Sequence, residues 1–326
     1  MNENKPLVSI KCTVYNHEPY LRQCLDGFVM QKTNFSFEAI VHDDASTDGS
    51  AAIIREYAEK YPDIIKPIYE TENQYSKKDG SLTRIMNEAV HPDAKYFASC
   101  EGDDYWTDPL KLQKQFDFLE SHNDYVMCVH NVDMYLQKSD EYIRNIGEVK
   151  PNTSFGFSFD LKYYCSGKKW VTRTLTNFYR RSAVANLDVT KYECYKDRTF
   201  YFLLLKQGKG MYFNDVMAVY RVHSGGVCSG NTFSKNFLGN VKGDCSIYDN
   251  QHSKDAMSLL KHNLIQNFYY LVINRDFETL KKVVARISLL DTKRPYIYMF
   301  ISILNIPIYF IFAIIKQYFG KFLPKN

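Results

Sequence analysis

Phe37-Glu38-Ala39-Ile40-Val41-His42-Asp43-Asp44 is an apolar run that closes on two adjacent carboxylates, and Tyr96-Phe97-Ala98-Ser99-Cys100-Glu101-Gly102-Asp103-Asp104 repeats the design. A carboxylate at the C-terminal end of a buried strand is costly to desolvate unless a cation or a hydrogen-bonding ligand compensates it. Open α/β sheets bind ligands at that edge, in the crevice outside the carboxyl ends of their strands. The two runs together point to a site holding a divalent metal and a ligand rich in phosphate and hydroxyl groups. The competing interpretation is a pair of Asp-rich turns, since Asp closes turns and caps helices throughout proteins.

The flanking sequence supplies the rest of such a sheet. Leu7–Val14 reads as a first buried strand, and Tyr20–Gln31 places Leu21, Leu25 and Phe28 at helical spacing. Glu38–His42 is a second strand. Ser46-Thr47-Asp48-Gly49-Ser50 then offers N-cap chemistry to a helix over Ala51–Lys60. Ile64–Tyr69 is a third strand, Glu70–Ser81 a loop, Leu82–Val90 a helix and Lys95–Cys100 a fourth strand. Thr107-Asp108-Pro109 starts a further helix with Pro at a permitted early position. This alternation predicts an α/β fold with a doubly wound, mostly parallel sheet flanked by helices. Beyond it, Val126–Met134 and Met211–Val222 read as strands, Lys150–Trp170 as a long loop, Phe200–Gln207 as a helix and Phe237–Tyr270 as one long helix.

The totals bound the function. With 326 residues the chain can bury one catalytic domain of about 230–250 residues plus an appendage. The net charge of +4 is too small and dispersed to make nucleic acid the partner. The eight cysteines contain no C-x-x-C pair, so reduced thiols are expected and a zinc site is not. Met1–Pro6 is polar and resembles no secretory signal.

Val8-Ser9-Ile10, Thr13-Val14-Tyr15-Asn16, Asp43-Asp44-Ala45-Ser46-Thr47-Asp48-Gly49-Ser50 and Glu101-Gly102-Asp103-Asp104-Tyr105-Trp106, in that order, resemble glycosyltransferase family 2. Tyr220-Arg221-Val222-His223-Ser224-Gly225-Gly226 looks like the late motif of bacterial members that build surface polysaccharides. The likeness covers about Leu7 to Ser229. It implies a GT-A fold and an inverting transfer from a nucleoside-diphosphate sugar, most simply a UDP-sugar. The acceptor would be a hydroxyl of a cell-surface glycan, free or lipid-linked.

The resemblance also distributes roles. Thr13 and Tyr15 would border the nucleobase, and Asp44 would accept a hydrogen bond from the base imide. Lys77, Lys78 and Arg84 lie in or near the loop before the acidic motif, where a diphosphate needs neutralising; Arg84 is the cation assigned to the donor. Asp104 would ligate Mg²⁺ or Mn²⁺, with Asp103 meeting the ribose. His223 would complete the metal shell, and imidazole suits Mn²⁺ better than Mg²⁺. Family members usually show Asp-x-Asp-Asp where this chain has Glu101-Gly102-Asp103-Asp104, so Glu101 departs from the pattern. Transfer to an alcohol needs a general base. Asp197, in Tyr195-Lys196-Asp197-Arg198, matches the family's base in its spacing, although Lys196 replaces the usual Glu or Gly. N-capping of the following helix is the plainer role for Asp197.

Tyr296–Ile315 is a run of twenty residues without a charge, long enough at about 1.5 Å per residue to cross a bilayer. Asn305 and Pro307 interrupt it, and lysines and arginine flank it on both sides. These features favour a helical, kinked, membrane-associating tail on an anionic inner leaflet over a span or hairpin, and over packing against the soluble protein. The expected organisation is a catalytic domain over 1–235, a helical extension over 236–290 and the apolar, basic tail over 291–326, at the cytoplasmic face of the inner membrane. Two alternatives stand beside this. One is a nucleotidyltransferase on a related sheet, which the lack of an early Gly-rich phosphate loop disfavours. The other is a degenerate, non-catalytic homologue serving as a scaffold for glycan assembly.

Overall fold

The computed structural model describes residues 5–147, 155–167, 171–226, 231–273, 276, 278–279 and 281–283. Its first half alternates as the periodicity predicts: β1 (Val8–Val14), α1 (Glu18–Val29), β2 (Phe37–Asp43), α2 (Ser50–Lys60), β3 (Ile65–Tyr69), α3 (Gln74–Lys77), α4 (Ser81–Glu88), β4 (Tyr96–Ser99), β5 (Tyr105–Trp106) and α5 (Lys111–Ser121). Then come β6 (Tyr125–Leu136), β7 (Glu141–Ile143), β8 (Gly156–Phe159), α6 (Leu161–Cys165), β9 (Phe178–Arg180), α7 (Asp197–Leu205), β10 (Lys209–Val222), α8 (Phe233–Gln251) and α9 (Lys254–Ile273).

The strands form one sheet in the order β3-β2-β1-β4-β9-β6-β10-β5, with β7 added to β6 and β8 to β10. β3, β2, β1 and β4 are mutually parallel, as are β6 and β10. The three-residue β9 runs antiparallel to both β4 and β6 and joins the two halves. β2 is buried along its whole length, Glu38, His42 and Asp43 included, as a strand inside a sheet flanked by helices is. Leu21, Cys24, Leu25 and Phe28 of α1 and Ile53, Ile54 and Tyr57 of α2 join Val8, Ile10, Cys12, Ala39 and Val41 in a single core.

Four details differ from the sequence expectation. The stretch expected as a long loop, Lys150–Trp170, contains β8 and α6. α3 lies inside the segment read as the loop Glu70–Ser81, its N-terminus capped by the Asn73 side chain. The helix expected to run unbroken over Phe237–Tyr270 divides at His252, which takes a left-handed conformation (φ 45°), and the Ser253 hydroxyl then accepts the Ala256 N–H to start α9. Ser46–Ser50 caps α2 only in part, because its polar atoms are shared with α1. The tail Tyr296–Ile315 lies outside the described residues. No helix among the described residues is long and apolar enough to cross a membrane.

The chain divides into two compact units. One comprises Met1–Asp160, Lys169–Leu187 and Leu203–Ser229; the other comprises Leu161–Lys168, Asp188–Phe202 and Gly230–Asn326. In the second unit α8 and α9 pack through Phe237, Val241, Cys245, Leu260 and Leu264. A buried ion pair sits beside them. Arg198 donates Nε and Nη2 to the two oxygens of Asp244 at 2.7 Å each, and Asn263 donates to Asp244 Oδ2 at 2.8 Å.

Candidate functional site

The C-terminal end of β1 is the seam of the site, because the strand ends on either side of it are tied to its carbonyls. The Asp44 N–H donates to Val14 O at 2.8 Å, and the Gly102 N–H donates to Thr13 O at 3.0 Å. Both acidic runs therefore meet at one sheet edge, as strand order alone requires for β2, β1 and β4.

The turn after β1 and the turn after β2 lock together. Asn16 adopts φ 56° and accepts the Thr47 N–H on its side-chain oxygen, while its own N–H donates to Ser46 Oγ. Asp48 accepts the Glu18 N–H at the start of α1, and Glu18 accepts the Gly49 N–H at the start of α2. Each helix is thus capped by a carboxylate from the other's approach. Burial opposes ionisation of Asp48, but the Ser50 and Glu18 hydrogen bonds outweigh it and hold its carboxyl below the usual range.

At the end of β2, Asp44 is buried and its two oxygens accept the N–H groups of Gln74 (2.6 Å) and Tyr75 (3.0 Å) at the start of α3. Tyr15 is 47% exposed beside this turn's sequence partner, and Thr13 is half-buried in β1. Arg84, expected to meet the donor, is exposed and reaches Glu88 one helical turn on at 3.3 Å. Lys77 bonds Gln74 and Glu72, and Lys78 ends α3 in a left-handed conformation.

The end of β4 is built differently. Glu101, Asp103 and Asp104 bring carboxylate oxygens within 4.8 Å of one another. Asp104 is 2% exposed, and its Oδ1 accepts the Arg221 backbone N–H at 2.8 Å. Burial first, then the charges of Asp103 and Glu101, push its carboxyl well above the ordinary range, against the pull of Arg221. Three hard oxygen donors pressed together in this way fit a divalent cation such as Mg²⁺ or Mn²⁺, which would relieve the repulsion.

Two imidazoles approach the same cluster. His223 Nε2 lies 3.0 Å from Asp103 Oδ2, and His17 Nε2 lies 4.0 Å from that oxygen. The expectation paired His223 with Asp104 around the ion; in the structure its contact is Asp103. Burial lowers the His17 pKa, and its Nδ1 is buried with no hydrogen-bond partner among the described residues. A side chain at position 102 would strike it: a Cβ there would stand 2.8 Å from His17 Nδ1 and 3.0 Å from Val14 Cγ2. Glycine lets the acidic turn lie flat against β1 and α1.

Arg221 organises this edge. Its guanidinium donates Nε to Asp103 O and its terminal nitrogens to Gln137 and Gln23. It also sits 4.9 Å from the Tyr20 ring centre and 5.3 Å from those of Tyr105 and Tyr135. Beneath, Trp106 packs on Phe28 and donates to Leu175 O, and the wholly buried Lys111 lies 3.9 Å over the indole while donating to Gln115. The sequence reading assigned no role to His17, Gln23, Arg221 or Lys111. A signal existed for Arg221, since strand alternation puts it on the same face as His223. Asp197 belongs to the second unit, where it opens α7. Its side chain is exposed, yet the protein packed around it pushes its carboxyl above the ordinary range, against the pull of Lys196.

A family model described as Glycosyl transferase family 2 matches residues 9–187, more than half of the chain. An uncharacterized protein of Mycobacterium tuberculosis is 44% identical over 125 residues, so that the chain spans 35% of that relative's length and the match covers 38% of this one. The putative teichuronic acid biosynthesis glycosyltransferase TuaG of Bacillus subtilis is 25% identical over 231 residues, covering 70% of this chain and 84% of TuaG. Among solved structures, Staphylococcus aureus TarS 1–349 in complex with UDP-GlcNAc aligns with a TM-score of 0.61 at 16% identity, over 87% of this chain and 80% of that one. A mannosyltransferase from Pyrobaculum calidifontis in complex with GDP-Man and Mn²⁺ aligns with a TM-score of 0.55 at 15% identity, over 93% and 81%. At such identities the two structures speak for the fold alone, and it is the GT-A type.

Proposed function

Because the chain belongs to glycosyltransferase family 2, we propose that it moves a sugar from a nucleoside-diphosphate sugar to a hydroxyl of a cell-surface glycan, with inversion at the anomeric carbon. The observation that carries this reading is the carboxylate cluster Glu101, Asp103 and Asp104 at the end of β4, with His223 against Asp103. A resident Mg²⁺ or Mn²⁺ would be held by these groups and would supply charge stabilisation to the leaving diphosphate. UDP-GlcNAc in TarS and GDP-Man with Mn²⁺ in the mannosyltransferase make a nucleotide sugar the natural donor class, without choosing between bases.

The chain's own groups take the remaining roles. Tyr15 offers an exposed ring to the base, and Asp44 fixes the facing Gln74–Tyr75 turn while keeping lone pairs for a base N–H. Thr13 anchors the acidic turn through its carbonyl. Arg84 is exposed enough to swing to a phosphate from its weak surface pair with Glu88. Asp197, whose side chain is exposed, is our general base for the acceptor hydroxyl. We place the protein at the cytoplasmic membrane face through Tyr296–Ile315, on the strength of that segment's apolar run and basic flanks.

A donor screen in the presence of Mn²⁺, following release of free nucleoside diphosphate, tests the reading. Turnover of one sugar nucleotide that EDTA and Asp104→Ala both abolish is the expected result. An Asp197→Asn protein that retains full transfer would remove Asp197 from the mechanism. Failure of the intact chain to consume or bind any sugar nucleotide would refute the activity itself.

A further inference from the structure

We propose that the tyrosines of β5, β6 and β7 form the platform on which the acceptor glycan rests, with the exposed edge of Tyr142, backed by Tyr135, against a sugar ring. The proposal deepens the transferase reading and rests on it. β7 is an edge strand paired antiparallel to β6, with Tyr135 directly opposite Tyr142. All three of its residues are exposed, Tyr142 by 43% and Ile143 by 46%. The two rings lie in contact, 4.7 Å between centres and tilted by 35°, and the Tyr142 hydroxyl lies 3.1 Å from that of Tyr105. Guanidinium groups bracket the pair: Arg221 lies 5.3 Å from the Tyr135 ring, and Arg144, paired to Asp133, lies 4.3 Å over Tyr142.

Three features make this a built surface rather than scattered exposed tyrosines. The rings are held by one another and by cations, so a ligand gains contact area with little further loss of side-chain freedom. The platform is also fixed to the carboxylate cluster, because Tyr105 follows Asp104 in sequence and Arg221 bonds Asp104 and Asp103 through its backbone and side chain. A bound ring would therefore lie at the edge where a hydroxyl is to be delivered. Third, the surface chemistry is mixed: aromatic rings flanked by phenolic hydroxyls, guanidinium N–H groups, Asp140 and Glu141. A pyranose, with an apolar C–H face and a hydroxyl rim, matches it. A lipid chain would meet charge on every side, and the nucleobase has Tyr15 and Asp44 at a separate part of the edge.

The test uses the full chain with Mn²⁺ and UDP on an array of defined glycans, alongside thermal-shift titration with nucleotide sugars. Wild-type protein should be retained on a subset of glycans. Tyr135→Ala with Tyr142→Ala should cut that retention by about tenfold or more, whereas Tyr142→Trp should keep it. Every variant should still melt cooperatively and show unchanged nucleotide-sugar shifts, which separates loss of the platform from misfolding. The proposal is overturned if the wild type retains no glycan, if the double variant retains the same glycans equally well, or if what Tyr142 supports is binding to anionic lipid vesicles. Nucleotide-sugar shifts absent from the wild type would refute the transferase reading, and the array would still judge the platform.

Discussion

The ends of β2 and β4 carry the same kind of sequence, an apolar strand closing on carboxylates, but they hold their charge in different ways. Asp44 has its oxygens occupied by two backbone N–H groups of α3. Glu101, Asp103 and Asp104 bring carboxylate oxygens within 4.8 Å of one another, with one backbone N–H of Arg221 on Asp104 and the His223 ring against Asp103. The first arrangement gives each oxygen one donor from the polypeptide and leaves a lone pair on each. The second crowds like groups together, and the crowding with burial pushes the Asp104 carboxyl well above the ordinary range. The lesson is that the distinguishing quantity at a strand end is the number of donors each carboxylate already has, and not the number of carboxylates.

The contrast can be broken by substitution. Asp104→Ala should reduce nucleoside diphosphate release by about a thousandfold or more, equivalent to about 4 kcal/mol of lost stabilisation. Asp104→Asn should be equally inactive yet melt at a higher temperature than the wild type in EDTA, because it removes like-charge repulsion. A lower melting temperature in EDTA would show that the cluster is already compensated. Gly102→Val should destabilise the fold by about 3 kcal/mol in urea denaturation, since the added side chain meets His17 and Val14. Asp44→Ala should cost about 2 kcal/mol in the same measurement by orphaning the Gln74 and Tyr75 N–H groups. If Asp44→Ala were neutral in stability and abolished only donor binding, the two strand ends would be alike after all.

The smallest effect sharpens the comparison beneath β4. Burial pushes the Lys111 amine down from an ordinary value of 10.5 to about 7. Between these values the unfolded chain binds a proton that the folded one does not, so this residue's contribution to stability rises with pH from about 7 to about 10.5. Lys111→Met should therefore stabilise by about 1 kcal/mol at pH 6.5, where the buried charge is costly, and lose that advantage by pH 10. Thermal melts of both proteins across this range check the sign. A Met advantage that grew with pH would contradict it.

Much of the first unit was legible because its local and global signals agree. The 2- and 3.6-residue periodicities of Leu7–Lys60 name strands and helices that pack as read. β9 was not, because Phe178–Arg180 is too short for any period and takes its strand identity from β4 and β6. β8 and α6 were hidden in a stretch whose aromatic, Gly-containing composition resembles a loop. At the site, the acidic clusters and His223 stood out by residue type. The Asp103–His223 contact and the converging rings around Arg221 depend on tertiary geometry between residues about 120 positions apart. Asp44's dual partners were equally invisible, since they come from a four-residue helix inside a polar segment.

The crossed caps at the sheet edge have one more consequence. Helix N-termini commonly serve as ready-made anion receptors, lending their free amides and positive dipole ends to phosphate groups. Here α1 and α2 exchange Asp48 and Glu18, and α3 takes Asp44, so the amides at these termini already serve internal anions. A phosphate arriving at this edge would compete with those carboxylates for the same amides. Side-chain cations or a diffusible metal ion would then have to supply the counter-charge to a phosphate there, and its affinity should fall as ionic strength rises.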